Sequence, residues 1–240
     1  MIDLYYWGTV NGHKITMYLE ECGVDYRLVP VKLKQGEQFK ASFLKISPNN
    51  KMPAIIDHKP ADGGEPVSIF ESGAILLYLA EKTGRGLPTN LRPRKTAIEW
   101  LMWQMAGLGP MAGQYNHFKN MAREEIGPAI ERYRNETERL LSVLDRHLEG
   151  RDHIAGEYSI ADMACYPWIK VFITSDLPFG TGKNLGHWCA RIAARNSTIR
   201  AYAHAETYKR DPAMNDEEHH TMFAQSVENV RRMSEVRASQ

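Results

Sequence analysis

The chain has 240 residues, 43% of them hydrophobic, and its 30 Lys and Arg against 29 Asp and Glu leave a formal net charge of +1. That length holds one to two domains with a sizeable core, and the composition is globular rather than disordered. The near-zero charge argues against a general nucleic-acid binder, whose phosphate contacts need a basic excess. The three cysteines, Cys22, Cys165 and Cys189, are too few and too scattered for a disulfide framework and fit a reducing compartment. The longest apolar run, Ala74 to Ala80, is far short of the roughly 20 residues that cross a bilayer. The N-terminus carries Asp3 and lacks a basic start followed by an apolar stretch, so no signal peptide is expected. A soluble cytoplasmic protein without a membrane partner is the expectation.

Ile2 to Trp7 is a β-branched and aromatic run that predicts a first strand, followed by a turn over Gly8 to Gly12. His13 to Cys22 places Ile15, Met17, Tyr18 and Leu19 on a short helix ending near Gly23. Tyr26 to Leu33 roughly alternates and predicts a second strand; Gln38 to Ile46 is a weak helix. Pro53 to Asp57 and Val67 to Phe70 are strands joined through Asp62-Gly63-Gly64, and Ser72 to Lys82 is a strongly apolar helix. The order is β-α-β-α-β-β-α.

Between Thr83 and Arg94, Gly84, Gly86, Pro88 and Pro93 give a linker composition. Everything beyond reads as helical. Thr96 to about Phe118 is one long helix bent at Gly107 to Pro110, and Ile126 to Leu148 is a second. Ser159 to Ile173, Leu185 to Ala194 and Ser197 to Tyr208 follow, the first opened by a capping box, Ser159-Ile-Ala-Asp162. The expected architecture is therefore an α/β thioredoxin-like N-terminal domain over residues 1–84 and an all-α C-terminal domain over 93–208. Residues 209–240 form a polar extension. It is either a tail or a docked helix striped by Phe223, Val227, Val230, Met233 and Val236.

In a thioredoxin-like fold the first helix presents its N-terminus to a thiol, because unpaired backbone N–H groups and the helix dipole favour the thiolate there. A redox member carries C-x-x-C at this turn. This chain has Thr9-Val10-Asn11-Gly12, so any reacting sulfur comes from a ligand. Thr9 and Asn11 supply a hydroxyl and an amide donor, though both are also ordinary turn residues. At Asn49-Asn50-Lys51-Met52-Pro53, a cis proline leaves the Met52 backbone to pair with an extended peptide; otherwise Pro53 simply opens a strand. Ser72 can cap its helix and hold a carboxylate there, and Glu71 offers an anion to an ammonium group. Thiolate site, peptide site and paired ammonium and carboxylate site match the parts of γ-Glu-Cys-Gly. The nine histidines show no metal spacing. Tyr5 and Tyr6 in the first strand read as core, with a hydroxyl donor to sulfur as the other reading.

Pro48 to Ala54 and Phe70 to Ile75 resemble the glutathione site of cytosolic glutathione transferases. Asn11 to Thr16, Ser47 to Lys51, Ala61 to Pro66, Trp103-Gln104, Gly107 to Met111 and Ala129 to Tyr133 resemble the bacterial Nu class, the disulfide-bond oxidoreductase type. The resemblance covers residues 1 to about 208. It implies that Thr9 and Asn11 stabilise the sulfur of glutathione. Met52, beside Pro53, pairs with the cysteinyl backbone, Glu71 and Ser72 hold the γ-glutamyl end, and Gln38 and Lys51 reach the other polar ends. Arg132 meets a carboxylate of a second glutathione. Apart from the resemblance, Tyr115 and His117 follow the bent first half of the long helix and are expected at a second-substrate pocket, with a solvated helix end as the other reading. One departure is Val10, where the family's turn usually has Pro.

The implied activity is glutathione-dependent disulfide reduction by a homodimer, with glutathione as co-substrate, no metal, and small thiols and disulfides as partners. Conjugation or dehalogenation of electrophiles by the same thiolate, and glutathione binding without turnover, are the alternatives.

Overall fold

The computed structural model describes residues 1–174, 182–208, 214–223 and 225–231. Two compact units emerge. One joins Met1–Lys82 to the described residues from Arg200 onward, and the other is Thr83–Ile199.

The first unit is a four-stranded sheet with helices. Strands β1 (Ile2–Tyr6), β2 (Tyr26–Pro30), β3 (Ala54–Asp57) and β4 (Val67–Phe70) lie in the order β2-β1-β3-β4. β1 runs parallel to β2 and antiparallel to β3, and β4 is antiparallel to β3. Leu4 of β1 stands between Leu28 and Ile55, which sets the register. Helix α1 (Val10–Cys22) follows β1, and Gly23, at a φ of 63°, closes it with its N–H on the Leu19 carbonyl. Two 3-10 turns, Leu33–Gln35 and Glu37–Phe39, precede the four-residue helix α2 (Ala41–Leu44), and α3 (Ser72–Thr83) follows β4. Ile2, Leu4, Tyr6, Ile15, Leu19, Ile55, Ile75 and Leu79 are buried. A second apolar cluster, Val31, Phe43 and Ala54, has Tyr5, Leu33, Ile46 and Met52 packed around it.

Two expected elements are shorter in the structure. The second strand stops at Pro30 rather than Leu33, and of the weak helix over Gln38 to Ile46 only the four residues of α2 are α-helical, with Gln38 and Phe39 in a 3-10 turn. Gly36, left-handed at a φ of 67°, breaks the segment before a regular helix can start.

The second unit is helical: α4 (Leu91–Trp103), α5 (Gly109–Asn116), α6 (Gly127–His147), α7 (Ile160–Thr174) and α8 (Lys183–Ala193), with the start of α9 (Asn196–Thr207). α4 begins earlier than Thr96, with Pro93 in its first turn, where a missing N–H costs little. The expected bend at Gly107 to Pro110 is a π-helical widening over Gln104–Leu108, where the Gly109 N–H reaches back to the Gln104 carbonyl. Pro110 itself sits harmlessly in the first turn of α5. The Ser159 capping box forms: Asp162 accepts from the Ser159 N–H at 3.0 Å and hydroxyl at 3.1 Å. It also accepts from the Ile154 N–H at 3.0 Å and the Trp188 indole at 2.8 Å.

The C-terminal extension enters the first unit through α10 (Asp216–Phe223), which packs on the turn Leu33–Gln35. Of the stripe residues, Phe223 ends this helix and, like Val230, is half-buried. Val227 is 72% exposed, while Met233 and Val236 lie outside the described residues. No helix among the described residues is long and apolar enough to cross a membrane.

Asp57, buried at the end of β3, collects the Lys82 ammonium, the Tyr78 hydroxyl at 2.7 Å and the Lys59 N–H at 2.9 Å. Burial alone raises its carboxyl, but these three donors outweigh it and hold it below the ordinary value of 3.8. Asp57→Asn should lower the unfolding free energy by about 1.5–3 kcal/mol at neutral pH. The carboxylate's contribution is full above about pH 3.8 and is lost as pH falls through its lowered folded value. The gap between wild type and variant in urea denaturation should therefore shrink only in strong acid.

Candidate active site

The site begins where β1 gives way to α1. Thr9 is the N-cap, extended at φ −116° and ψ 162°, and its Oγ1 accepts the Gly12 N–H at 3.2 Å. The helix thus starts at Val10, earlier than the sequence suggests, and Asn11 lies in its first turn rather than in a loop. Asn-Gly reads as a turn pair, which masks a helix start set by the residue before it. Gly12 is required by space: a Cβ there would lie 2.5 Å from the Trp7 carbonyl and 2.9 Å from the Tyr6 ring. Because Thr9 Oγ1 uses a lone pair on Gly12, its own proton points elsewhere, and the acceptor it meets is the Met52 sulfur at 4.0 Å.

Met52 brings the second group. The Met52–Pro53 peptide bond is cis, and Pro53 is buried at the start of β3. The preceding loop is fixed locally: the Asn50 N–H meets the Ser47 carbonyl at 2.9 Å, and Ser47 Oγ donates to the Lys51 carbonyl at 2.7 Å. Asn50 is left-handed at a φ of 48°, a conformation asparagine tolerates. Lys51 is exposed. Gln38, only 2% exposed, has a buried Oε1 with no hydrogen-bond donor among the described residues. A buried acceptor left open in this way is suited to a ligand N–H.

The third group sits at α3. The Ile75 N–H bonds the Glu71 carbonyl at 2.9 Å, so Glu71, at a φ of 69°, is the N-cap and Ser72 is the first helical residue. The expectation that Ser72 caps the helix is corrected accordingly. Its hydroxyl is buried instead against Lys14, whose ammonium donates to Oγ at 3.2 Å. Glu71 is exposed and accepts from Asn49 Nδ2 at 3.4 Å, which joins the Met52 loop to α3. Thr9 with Met52, Asn49 with Glu71 and Lys14 with Ser72 thus link the three groups into one frame.

Sequence reasoning missed Lys14. It is 1% exposed, rare for a lysine, and places a cation beside the start of α3. Tyr18 and Met17, at i+4 and i+3 from it, are buried, so the face it occupies was readable from the apolar spacing. Tyr6 is fully buried and burial pushes its hydroxyl far above the ordinary range; Tyr5 is half-buried with its ring 5.9 Å from Phe43. Both pack, as expected. The three cysteines are buried thiols, and burial pushes Cys189 up to about 12. At that value its reactive thiolate is scarce.

Arg132, in the helical unit, is exposed and lines a cavity of about 670 Å³ with Met111, Tyr133, Glu136 and Arg139. Tyr115 is buried and His117 half-buried, its ring edge-on to Phe118; neither lines that cavity. Among the described residues no group of three His, Cys, Asp or Glu is placed to hold a metal ion.

Residues 2–81 match the family model for the glutathione S-transferase N-terminal domain. The chain is 53% identical over 207 residues to the disulfide-bond oxidoreductase YfcG of Escherichia coli (strain K12), spanning 86% of this chain and 96% of that protein. It is 37% identical over 213 residues to YghU of the same organism, also named a disulfide-bond oxidoreductase, covering 83% and 73%. Among solved structures, a glutathione transferase from Pseudomonas putida with one glutathione disulfide bound per subunit superposes with a TM-score of 0.81. It is 40% identical, over 84% of this chain and 90% of that one. A Pseudomonas fluorescens family member with two glutathione bound gives 0.80 at 42% identity, over 84% and 92%.

The cap itself is open to test. Thr9→Val keeps the shape and removes the hydroxyl, and should cost about 1 kcal/mol of unfolding free energy in urea denaturation. Thr9→Ser, which keeps the acceptor, should stay near wild type.

Proposed function

The chain belongs to the glutathione S-transferase family, and within it we propose that it reduces disulfides with glutathione, as a Nu-type enzyme whose working sulfur is the ligand's. The observation that carries the reading is the Thr9 hydroxyl. Its oxygen accepts the Gly12 N–H at the start of α1, which leaves its proton for another acceptor, and the one it meets is the Met52 sulfur at 4.0 Å. The first turn of α1 contains no cysteine, which removes the protein's own nucleophile from the place where this fold puts one.

In this reading a glutathione sulfur lies at the N-terminus of α1. The Thr9 hydroxyl, the Asn11 amide and the positive end of the helix favour its anion. The thiolate attacks one sulfur of a disulfide, forming a mixed disulfide and expelling the other sulfur as a thiolate, which takes a proton from water. A second glutathione thiolate attacks the glutathione sulfur of the mixed disulfide, releasing the remaining substrate thiol and glutathione disulfide. Two electrons pass from two glutathiones to the substrate. The chain supplies a lowered thiol pKa and alignment.

The remaining groups follow the parts of the tripeptide. The Met52 backbone pairs with the cysteinyl unit beside cis Pro53, and the open acceptor of Gln38 suits a peptide N–H. Lys51 takes the glycyl carboxylate. Ser72, with the Lys14 ammonium on its hydroxyl, takes the γ-glutamyl carboxylate, and Glu71 takes the ammonium. Arg132 serves a second glutathione, and the assembly is a cytoplasmic homodimer.

Asn11→Ala should lower kcat/KM for a small disulfide about 10- to 100-fold, the loss of one hydrogen bond to an anion. Turnover equal to wild type would remove Asn11 from this role. The same preparations assayed on an aryl halide separate reduction from conjugation: conjugation far exceeding disulfide reduction would overturn the assignment.

A further inference from the structure

The described part of the C-terminal extension docks on the first unit, on the turn Leu33–Gln35 and beside Asn50 of the loop that leads into Met52. α10 opens with a reciprocal cap: the Glu218 N–H donates to Asn215 Oδ1 at 2.9 Å, and Glu218 Oε2 accepts the Asn215 N–H at 3.1 Å. The same carboxylate meets the Lys34 ammonium at 3.5 Å. Along the helix Glu218, Thr221 and Met222, at i, i+3 and i+4, are less exposed than Asp216, Glu217 and His220, and Thr221 is buried. One face therefore packs on the turn Leu33–Gln35, and the other is solvated.

A second tie lies just past the helix. Gln225 donates its Nε2 to the Met222 carbonyl at 3.1 Å, and its Oε1 accepts from Asn50 Nδ2 at 3.3 Å. The segment between these two attachment points, from Leu33 to Asn50, contains Gln38 and leads directly into Lys51 and Met52. It has little regular structure of its own, only 3-10 turns and the four residues of α2. Its hydrogen bonds are short-range turns, such as Gly36 N–H to the Leu33 carbonyl and Asn50 N–H to the Ser47 carbonyl, which shape the segment locally, so ties from outside at both ends bear on where it sits in the unit.

We propose that α10 and Gln225 brace this segment and so set the affinity for glutathione, with Glu218, Thr221 and Gln225 acting as positioning residues. The proposal rests on the glutathione reading above. It leaves the thiolate donors on α1 untouched, so it concerns binding and not the sulfur chemistry.

The brace and the ligand must stabilise each other reciprocally. In the full-length wild type, saturating glutathione should slow hydrogen exchange across residues 216–223. Thr221→Arg, which drives a long cation into the buried contact, should speed that exchange and raise the Kd for glutathione about two- to fivefold, the range of a few surface contacts. Turnover of a small disulfide at saturating glutathione should stay at the wild-type value. Lys34→Glu, which sets a carboxylate against Glu218 while leaving the α10 cap intact, should act alike. Adding Glu218→Gln, which removes the repulsion and keeps the cap, should recover most of the affinity. Fast exchange in Thr221→Arg with wild-type affinity for glutathione would overturn the brace and leave the glutathione reading standing. A wild-type protein that fails to bind glutathione would overturn that reading and the brace with it.

Discussion

The structure of the first unit turns on how closely α1 follows β1. Only Trp7, Gly8 and Thr9 separate them, and Gly12 passes so near the Trp7 carbonyl and Tyr6 ring that no side chain fits. This approach puts the positive end of α1 directly beyond the strand, with Thr9 as its cap. An anion is favoured there by the dipole and the backbone N–H groups, whatever its source. That turn holds no cysteine, so in the proposed reading the anion is a ligand's.

The rest of α1 is anchored so that this end can stay fixed. Lys14 reaches Ser72 on α3 at 3.2 Å, and the His13 ring stacks on Tyr202 of α9 with centroids 4.0 Å apart. Near its other end Glu20 collects Arg200 at 2.7 Å, His204 at 3.1 Å and Tyr26 at 2.8 Å. Burial pushes the Glu20 carboxyl up, but these donors together bring it below the ordinary range. α1 is thus tied to the sheet, to α3 and to α9, and the Met52 loop is tied to α3 through Asn49. Each group of the proposed site is held by a neighbour from a different element, which suits the alignment that a two-step exchange needs.

Much of this was legible in the sequence, and the failures have physical causes. Strand alternation, the hairpin at Asp62-Gly63-Gly64 and the Ser159 box were readable because they depend on residues a few positions apart. The start of α1 was not, since Asn11-Gly12 mimics a turn and the cap lies one step earlier. Ser72 reads as a cap because Ser is the commoner choice there, whereas the first helical bond, from the Ile75 N–H, goes to the Glu71 carbonyl. In the extension the start of the docked helix is marked by Asn215 and Glu218, which form a capping box upstream of the apolar stripe from Phe223 to Val236.

By itself the sequence determined the order of an α/β part followed by a helical one and the turn without cysteine, and it supplied the residues proposed to receive each part of glutathione. Those follow from local spacing and side-chain chemistry. Tertiary structure alone decided that Thr9 offers its proton to sulfur, that Lys14 is buried on Ser72, that Gln38 keeps an open acceptor and that α10 lies on the Leu33–Gln35 turn. Each of these joins residues far apart in the chain, and which distant side chains meet is fixed by how the elements pack.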